Sequence, residues 1–185
     1  MDILNKVKSY RDQERHLKWE GTFAEYLEIL KQRPEIAQTA HSRVYNMIKA
    51  AGVTEKDGEK MYHFFGEEIF GLEEAIERLV EEYFHPAAKR LDVRKRILLL
   101  MGPVSGGKST IVTLLKRGLE RYSRTDEGAV YAIKGCPMHE DPLHLIPQHL
   151  REEFYEEFGI RVEGSLSPLN MMRLEKEYGG RIEDV

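Results

Sequence analysis

The chain has 185 residues, 41% hydrophobic and 32% charged, with a net charge of −4. That balance allows an ordinary buried core and gives no electrostatic reason to expect a nucleic-acid partner. One cysteine, Cys136, excludes an internal disulfide framework. No apolar run reaches spanning length, and Met1-Asp2-Ile3-Leu4-Asn5-Lys6 has neither a signal-peptide pattern nor a myristoylation glycine, so a cytoplasmic protein without membrane partners is expected.

In chain order, residues 1–20 are dense in charge, with Ile3, Leu4, Val7, Tyr10 and Leu17 as a loose helical stripe. Thr22-Phe23-Ala24-Glu25 is a capping box, and Phe23, Tyr26, Leu27 and Leu30 then recur at helical spacing up to Pro34. Pro34 suits the first turn of a second helix, with Ile36, Ala40, Val44, Met47 and Ile48 on one face and Ala51-Gly52 at its end. Asp57-Gly58 is a turn signal inside 53–65, compatible with a hairpin or a loop. After Ile69-Phe70-Gly71, a helix with Leu72, Ala75, Ile76, Leu79, Val80 and Tyr83 inward is expected, ended or kinked at His85-Pro86. Lys89, Arg90, Arg94, Lys95 and Arg96 form a basic cluster without interleaved aromatics, read as the solvated flank of a strand start.

Residues 97–115 carry the clearest chemistry. Ile97 to Met101 is a short apolar run without polar alternation, the pattern of a parallel strand covered on both faces. Gly102-Pro103-Val104-Ser105-Gly106-Gly107-Lys108-Ser109 meets the pattern G-x-x-x-x-G-K-[ST], and Ile111, Val112, Leu114, Leu115 and Leu119 give the following helix an apolar face. Glycines let backbone N–H groups approach a polyphosphate, and the helix start adds unpaired donors and the positive end of its dipole. Lys108 supplies a full charge for the β- and γ-phosphates and is the expected catalytic group. Ser109 is placed to ligate Mg²⁺, and Thr110 to offer a backbone donor to an outer phosphate.

Thr125 to Gly128 is a turn and Ala129 to Ile133 a second strand, completing an expected right-handed βαβ unit. Val130-Tyr131-Ala132-Ile133-Lys134 imitates a kinase β3 segment, but the other kinase signatures are missing, so Lys134 is read as a strand-end lysine. Cys136, His139, His144 and His149 match no standard zinc spacing and read as an ordered loop. Phe154, Tyr155 and Phe158 stand among glutamates, and Ser167-Pro168 opens a last helix through Leu169, Met172 and Leu174 to Gly179-Gly180. No strand ending in a second acid follows Lys108, and two strands would leave open edges, so a truncated domain is expected.

The strings Trp19-Glu20-Gly21-Thr22-Phe23, Ala37-Gln38-Thr39-Ala40-His41-Ser42-Arg43, Tyr83-Phe84-His85-Pro86-Ala87-Ala88, the glycine-rich loop and Gly135-Cys136-Pro137-Met138-His139-Glu140-Asp141-Pro142 closely resemble the N-terminal part of PrkA-family serine protein kinases. The resemblance implies an α/β fold: a P-loop, AAA+-like core with parallel strands over 69–185, after a mainly helical region at 1–68. It implies ATP with Mg²⁺, adenine contact from Phe70 and Gly71, a protein substrate, a homo-oligomer through the AAA+ core, and a link to stress responses. Three functions compete: serine protein kinase, an AAA+ ATPase that remodels or delivers substrates to a protease, and a nucleotide sensor without turnover.

Overall fold

The computed structural model describes residues 3–14, 18–56, 58–66, 68–91 and 97–185. Leu17, Asp57, and the members Arg94, Lys95 and Arg96 of the basic cluster lie outside them. The chain separates into two compact units: one combines residues 1–37 with 129–185, the other spans 38–128.

The first unit begins with α1 (Ile3–Glu14) and α2 (Phe23–Gln32). Both halves of the expected capping box form: the Glu25 N–H donates to Thr22 Oγ1 at 3.3 Å, and the Thr22 N–H donates to Glu25 Oε2 at 2.8 Å. Phe23, Tyr26 and Leu30 are buried, as the spacing requires. They share a core with Ile36, Ile133, Leu143, Leu145 and Phe154. Helix α7 (Arg151–Phe158) and helix α8 (Pro168–Tyr178) complete this unit. Ser167 caps α8 through the Asn170 N–H, and Gly179 closes it at φ 61°, a left-handed conformation that favours glycine. Leu169 and Met172 are 41% and 46% exposed, and Asn170 is the buried residue of that helix.

The single helix expected after Pro34 is two pieces. A 3₁₀ turn covers Pro34–Ile36, and α3 (Ala40–Ala50) starts afresh because the Thr39 hydroxyl accepts from the Ser42 N–H. Ile36 joins the first core, whereas Tyr45, Met47 and Ile48 join the core of the second unit. In that unit β1 (Val53–Lys56) pairs antiparallel with β2 (Glu59–Tyr62), so the 53–65 region contains a hairpin. Helix α4 (Glu73–Arg78) does not stop at His85. It widens into a π-helical turn over Leu79–Phe84 and continues as α5 (His85–Ala88). Pro86 has no N–H to donate and its ring crowds the carbonyl four residues earlier, which the wider turn accommodates. The Glu81 carboxylate on that turn accepts from Lys60 Nζ at 2.7 Å and from the Tyr62 hydroxyl at 2.6 Å, tying β2 to it.

The expected parallel βαβ unit is not formed among the described residues; their only sheet is the two-stranded antiparallel one. Ile97, Leu99 and Met101 are 72–85% exposed, while Leu98 and Leu100 pack on the second core. Alternate residues thus face inward, a strand-like pattern without a strand partner, and an extended run becomes a strand only when a neighbour supplies the ladder. Residues 129–133 fail for a similar reason: the Ile133 N–H donates to the Glu140 carbonyl at 2.9 Å, closing a loop and not a ladder. The helix after the glycine-rich loop is present as α6 (Lys108–Tyr122), with Ile111 and Leu114 buried and Val112, expected inward, 40% exposed.

Helix α6 lies close to its neighbours at Gly118, where a Cβ would sit 2.5 Å from the Phe64 ring and 2.8 Å from Met47 Sδ. Gly118→Val is expected to lower the stability of the 38–128 unit by about 1–3 kcal/mol through overpacking. Val112→Ala, on the same helix but half out of the core, should cost less than Gly118→Val. Denaturant unfolding of both variants checks the order.

Candidate functional site

The glycine-rich loop runs from Gly102 to Gly107 and enters α6 without a linker, Gly107 being the N-cap and Lys108 the first helical residue. A tight turn shapes it: the Gly106 N–H donates to the Pro103 carbonyl at 3.2 Å. Two residues adopt left-handed backbone, Ser105 at φ 64° and Gly107 at φ 75°. At Gly107 a Cβ would also approach Leu72 Cδ1 to 3.1 Å, so conformation and space both select glycine there. No side chain caps α6. Its first-turn N–H groups have no intrahelical partner, as at any helix start, and they face the loop end.

Lys108 curls back over the loop. Its Nζ donates to the Gly102 carbonyl at 2.9 Å and also to the Pro103 carbonyl. The ammonium is thus held at the loop by two acceptors that an anion would compete with. Val104, at the tip, is 95% exposed; Pro103, Ser105 and Ser109 are exposed, and Gly106, Gly107, Lys108 and Thr110 half-buried.

The 69–72 segment meets this loop through Leu72 on Gly107. Phe70 is 78% exposed, and Gly71, at φ 70°, donates its N–H to Glu73 Oε1 at 3.0 Å. Leu72 ends the Ile69-Phe70-Gly71-Leu72 stretch that the resemblance sets ahead of the first strand, at adenine. Its apolar spacing marked it as core, and contact with a glycine 35 positions away leaves no local signal.

A second polar centre lies in the other unit, around Glu140. Its Oε1 accepts from the Ser167 N–H at 2.7 Å and lies 3.0 Å from His144 Nδ1, and its Oε2 accepts from Asn170 Nδ2 at 2.6 Å. Burial alone would raise this carboxyl. The hydrogen bonds from Ser167, His144 and Asn170 outweigh it and hold the carboxyl at about 2, against an ordinary 4.5. Cys136 is buried beside it, its thiol drawn down chiefly by the Glu140 backbone N–H, with the Asn170 side chain assisting. Among the described residues, no three of His, Cys, Asp and Glu converge as metal ligands. The four-residue spacing of Glu140 and His144 is readable in sequence; Asn170, 30 residues on, is not. Lys134 donates to Glu20 Oε2 at 2.6 Å in an exposed pair, which lowers the Glu20 carboxyl and raises the lysine.

With this geometry in place, a family model described as the PrkA AAA domain matches residues 21–185. The chain belongs to the PrkA AAA domain family. It is 76% identical over its whole length to the ATP-dependent protease PrkA of Bacillus subtilis (strain 168), of which it spans 29%. It is 74% identical over 97 residues, 52% of the chain, to the whole of a Geobacillus stearothermophilus protein in the gldA 5' region. To the serine/threonine kinase YeaG of Escherichia coli (strain K12) it is 36% identical over 124 residues, 63% of the chain and 18% of the relative. No solved structure matches it. Among the described residues no helix is long and apolar enough to cross a membrane.

The Glu140 network gives a pH prediction. A depressed carboxyl stabilises the fold fully above its unfolded value near 4.5, and that contribution is lost as pH falls towards 2. Glu140→Gln is therefore expected to cost on the order of 3 kcal/mol at neutral pH and progressively less below pH 4.5. Chemical unfolding of both proteins between pH 2 and 7 should show the curves converging at the acid end.

Proposed function

We propose that this chain is an ATP-binding module that takes ATP with Mg²⁺ on the loop from Gly102 to Thr110. The observation that carries the reading is the direct passage from the tight turn at Pro103–Gly106 into α6, with Lys108 as its first residue, in a PrkA AAA domain. The residues fit such a group. Gly106 and Gly107 leave space that a Cβ would fill against the Pro103 carbonyl and Leu72, each at 3.1 Å. Backbone N–H groups of the loop and the first turn of α6 would hold the phosphates, and Lys108 would exchange the Gly102 and Pro103 carbonyls for phosphate oxygens. The Ser109 hydroxyl would hold Mg²⁺, which neutralises phosphate charge when bound. Phe70, exposed two residues before Leu72, would offer a ring face to adenine, and Gly71 would let the backbone pass close to it.

The parallel-strand core of the AAA+ fold belongs to the same proposal. Ile97, Leu99 and Met101 form an exposed apolar row immediately before the loop, the kind of surface that neighbouring strands and a covering layer bury in an α/β sheet. Such burial would stiffen the loop entrance, so this sequence is expected to bind more weakly alone than inside a longer polypeptide.

For the activity of a longer protein, two readings stand. The relative at 76% identity carries the name of an ATP-dependent protease, which supports an AAA+ motor that delivers substrate proteins for cleavage and assembles through its core. The relatives at 36% carry the name of a serine/threonine kinase, which supports phosphate transfer from ATP to protein hydroxyls. ATP binding is common to both.

Calorimetric titration of the chain with ATP and Mg²⁺ is expected to show saturable binding that falls at least roughly tenfold in Lys108→Ala, as loss of a charge-assisted contact predicts. A correctly folded chain without binding, or binding indifferent to Lys108, would overturn the assignment. In the intact protein, radiolabel transferred from ATP to protein supports the kinase reading. ATP-dependent loss of a substrate protein without transferred label supports the protease reading.

A further inference from the structure

The first unit holds an apolar groove of about 410 Å³ between one face of α2 and one face of α7. From α2 come Ala24, Leu27, Glu28 and Lys31, and from α7 and its approach come Leu150, Glu153, Phe154, Glu157 and Phe158. Both sets follow the i, i+3, i+4, i+7 spacing of a single helical face, so each wall of the groove is one face of a helix. Ile146 and Ile182 contribute to its lining, and Phe154 and Phe158 stack at 4.4 Å along one wall. Carboxylates stand on both walls, in excess on the α7 wall. Glu28 stands on one, with Lys31 3.2 Å away; Glu153 and Glu157 stand on the other, with no ion pair among the described residues.

The same chain carries a segment of matching chemistry. In α1, Ile3 and Val7 lie one turn apart and are 69% and 57% exposed. At 100° per residue, Lys6 falls on one side of that stripe and Lys8 on the other. An apolar stripe flanked by cations on both sides is the complement of an apolar trough flanked by carboxylates, and an amphipathic helix laid in a groove is a standard recognition mode. Just before α2 the chain is tethered: Trp19 packs edge-on against Tyr131 at 5.5 Å, Glu20 pairs with Lys134, and the Thr22 capping box follows. The stripe of α1 is exposed, so its own groove does not hold it.

We infer that α1 of one copy docks in the α2–α7 groove of a second copy, so that the chain associates by exchanging N-terminal helices. Ile3 and Val7 fill the trough; Lys6 and Lys8 flank it, one on each side, so that one of them meets Glu153 and Glu157 and the other faces Glu28.

Two single variants test this together. Val7→Cys and Leu150→Cys proteins, mixed and oxidised, are expected to give a disulfide-linked pair of chains. Unsubstituted protein, whose Cys136 is buried, should give none. Reversing Glu153→Lys and Glu157→Lys in the Leu150→Cys protein should lower the yield roughly tenfold, and Lys6→Glu with Lys8→Glu in the partner should restore it. Sedimentation adds a check on a surface change that cannot disturb the body: Val7→Glu should shift the protein to the monomer. A mixture that stays monomeric, or linkage indifferent to charge reversal, overturns the inference. So does a Val7→Cys/Leu150→Cys double variant that links only within one chain, which would place the helix on its own groove.

Discussion

The close approach of α6, at Gly118, to Met47 and Phe64 is the constraint on which the second unit depends. With no side chain there, the helix settles against Met47 of α3 and the Phe64 ring, and Ile111 and Leu114 reach the core formed with Ile48, Phe65 and Val80. The packing at one end fixes the direction of the other end, where Gly107 turns left-handed against Leu72 and the first-turn N–H groups face the glycine-rich loop. The turn at the C-terminal end of α6 is bound to α3 as well. Gln38 donates to the Glu127 carbonyl and Arg43 to that of Gly128. The anion site proposed for this loop is made of backbone and would need such a frame, because its donors cannot reorient one by one.

The first unit is held by different physics. Its apolar core is supplemented by one buried carboxylate that gathers the loop after Ile133, the 3₁₀ turn at Pro142–Leu145 and the start of α8. Such a group is tolerated because both oxygens are satisfied, and removing any donor would leave charge buried without compensation. Glu140 is committed to Ser167, His144 and Asn170, and the Asp141 side chain accepts from the Leu143 N–H at 2.9 Å.

Much of the candidate site was readable from residues 102–110, because a glycine-rich turn and a helix start are written within a few positions. The Thr22–Glu25 box, the Ser167 cap and the Gly179 stop were readable on the same ground: each is a contact over three or four residues. Less visible was the break at Thr39, where a cap within a plausible helical face divides the residues between two cores. The helix running through Pro86 escaped for the opposite reason, since a wider turn removes the conflict that a proline signals.

The sequence by itself determined the caps at Thr22 and Ser167, the stop at Gly179 and the passage from a glycine-rich turn into α6, since these follow from hydrogen bonds and side-chain spacing close along the chain. Tertiary structure alone decided the state of residues 97–101 and 129–133. Their composition permits a strand, but a strand is made by a neighbour's N–H and C=O groups. It also decided that Leu72 closes on Gly107 and that Asn170 completes the Glu140 network. Those contacts join residues 30 or more positions apart, and only the packing of whole elements brings them within bonding distance.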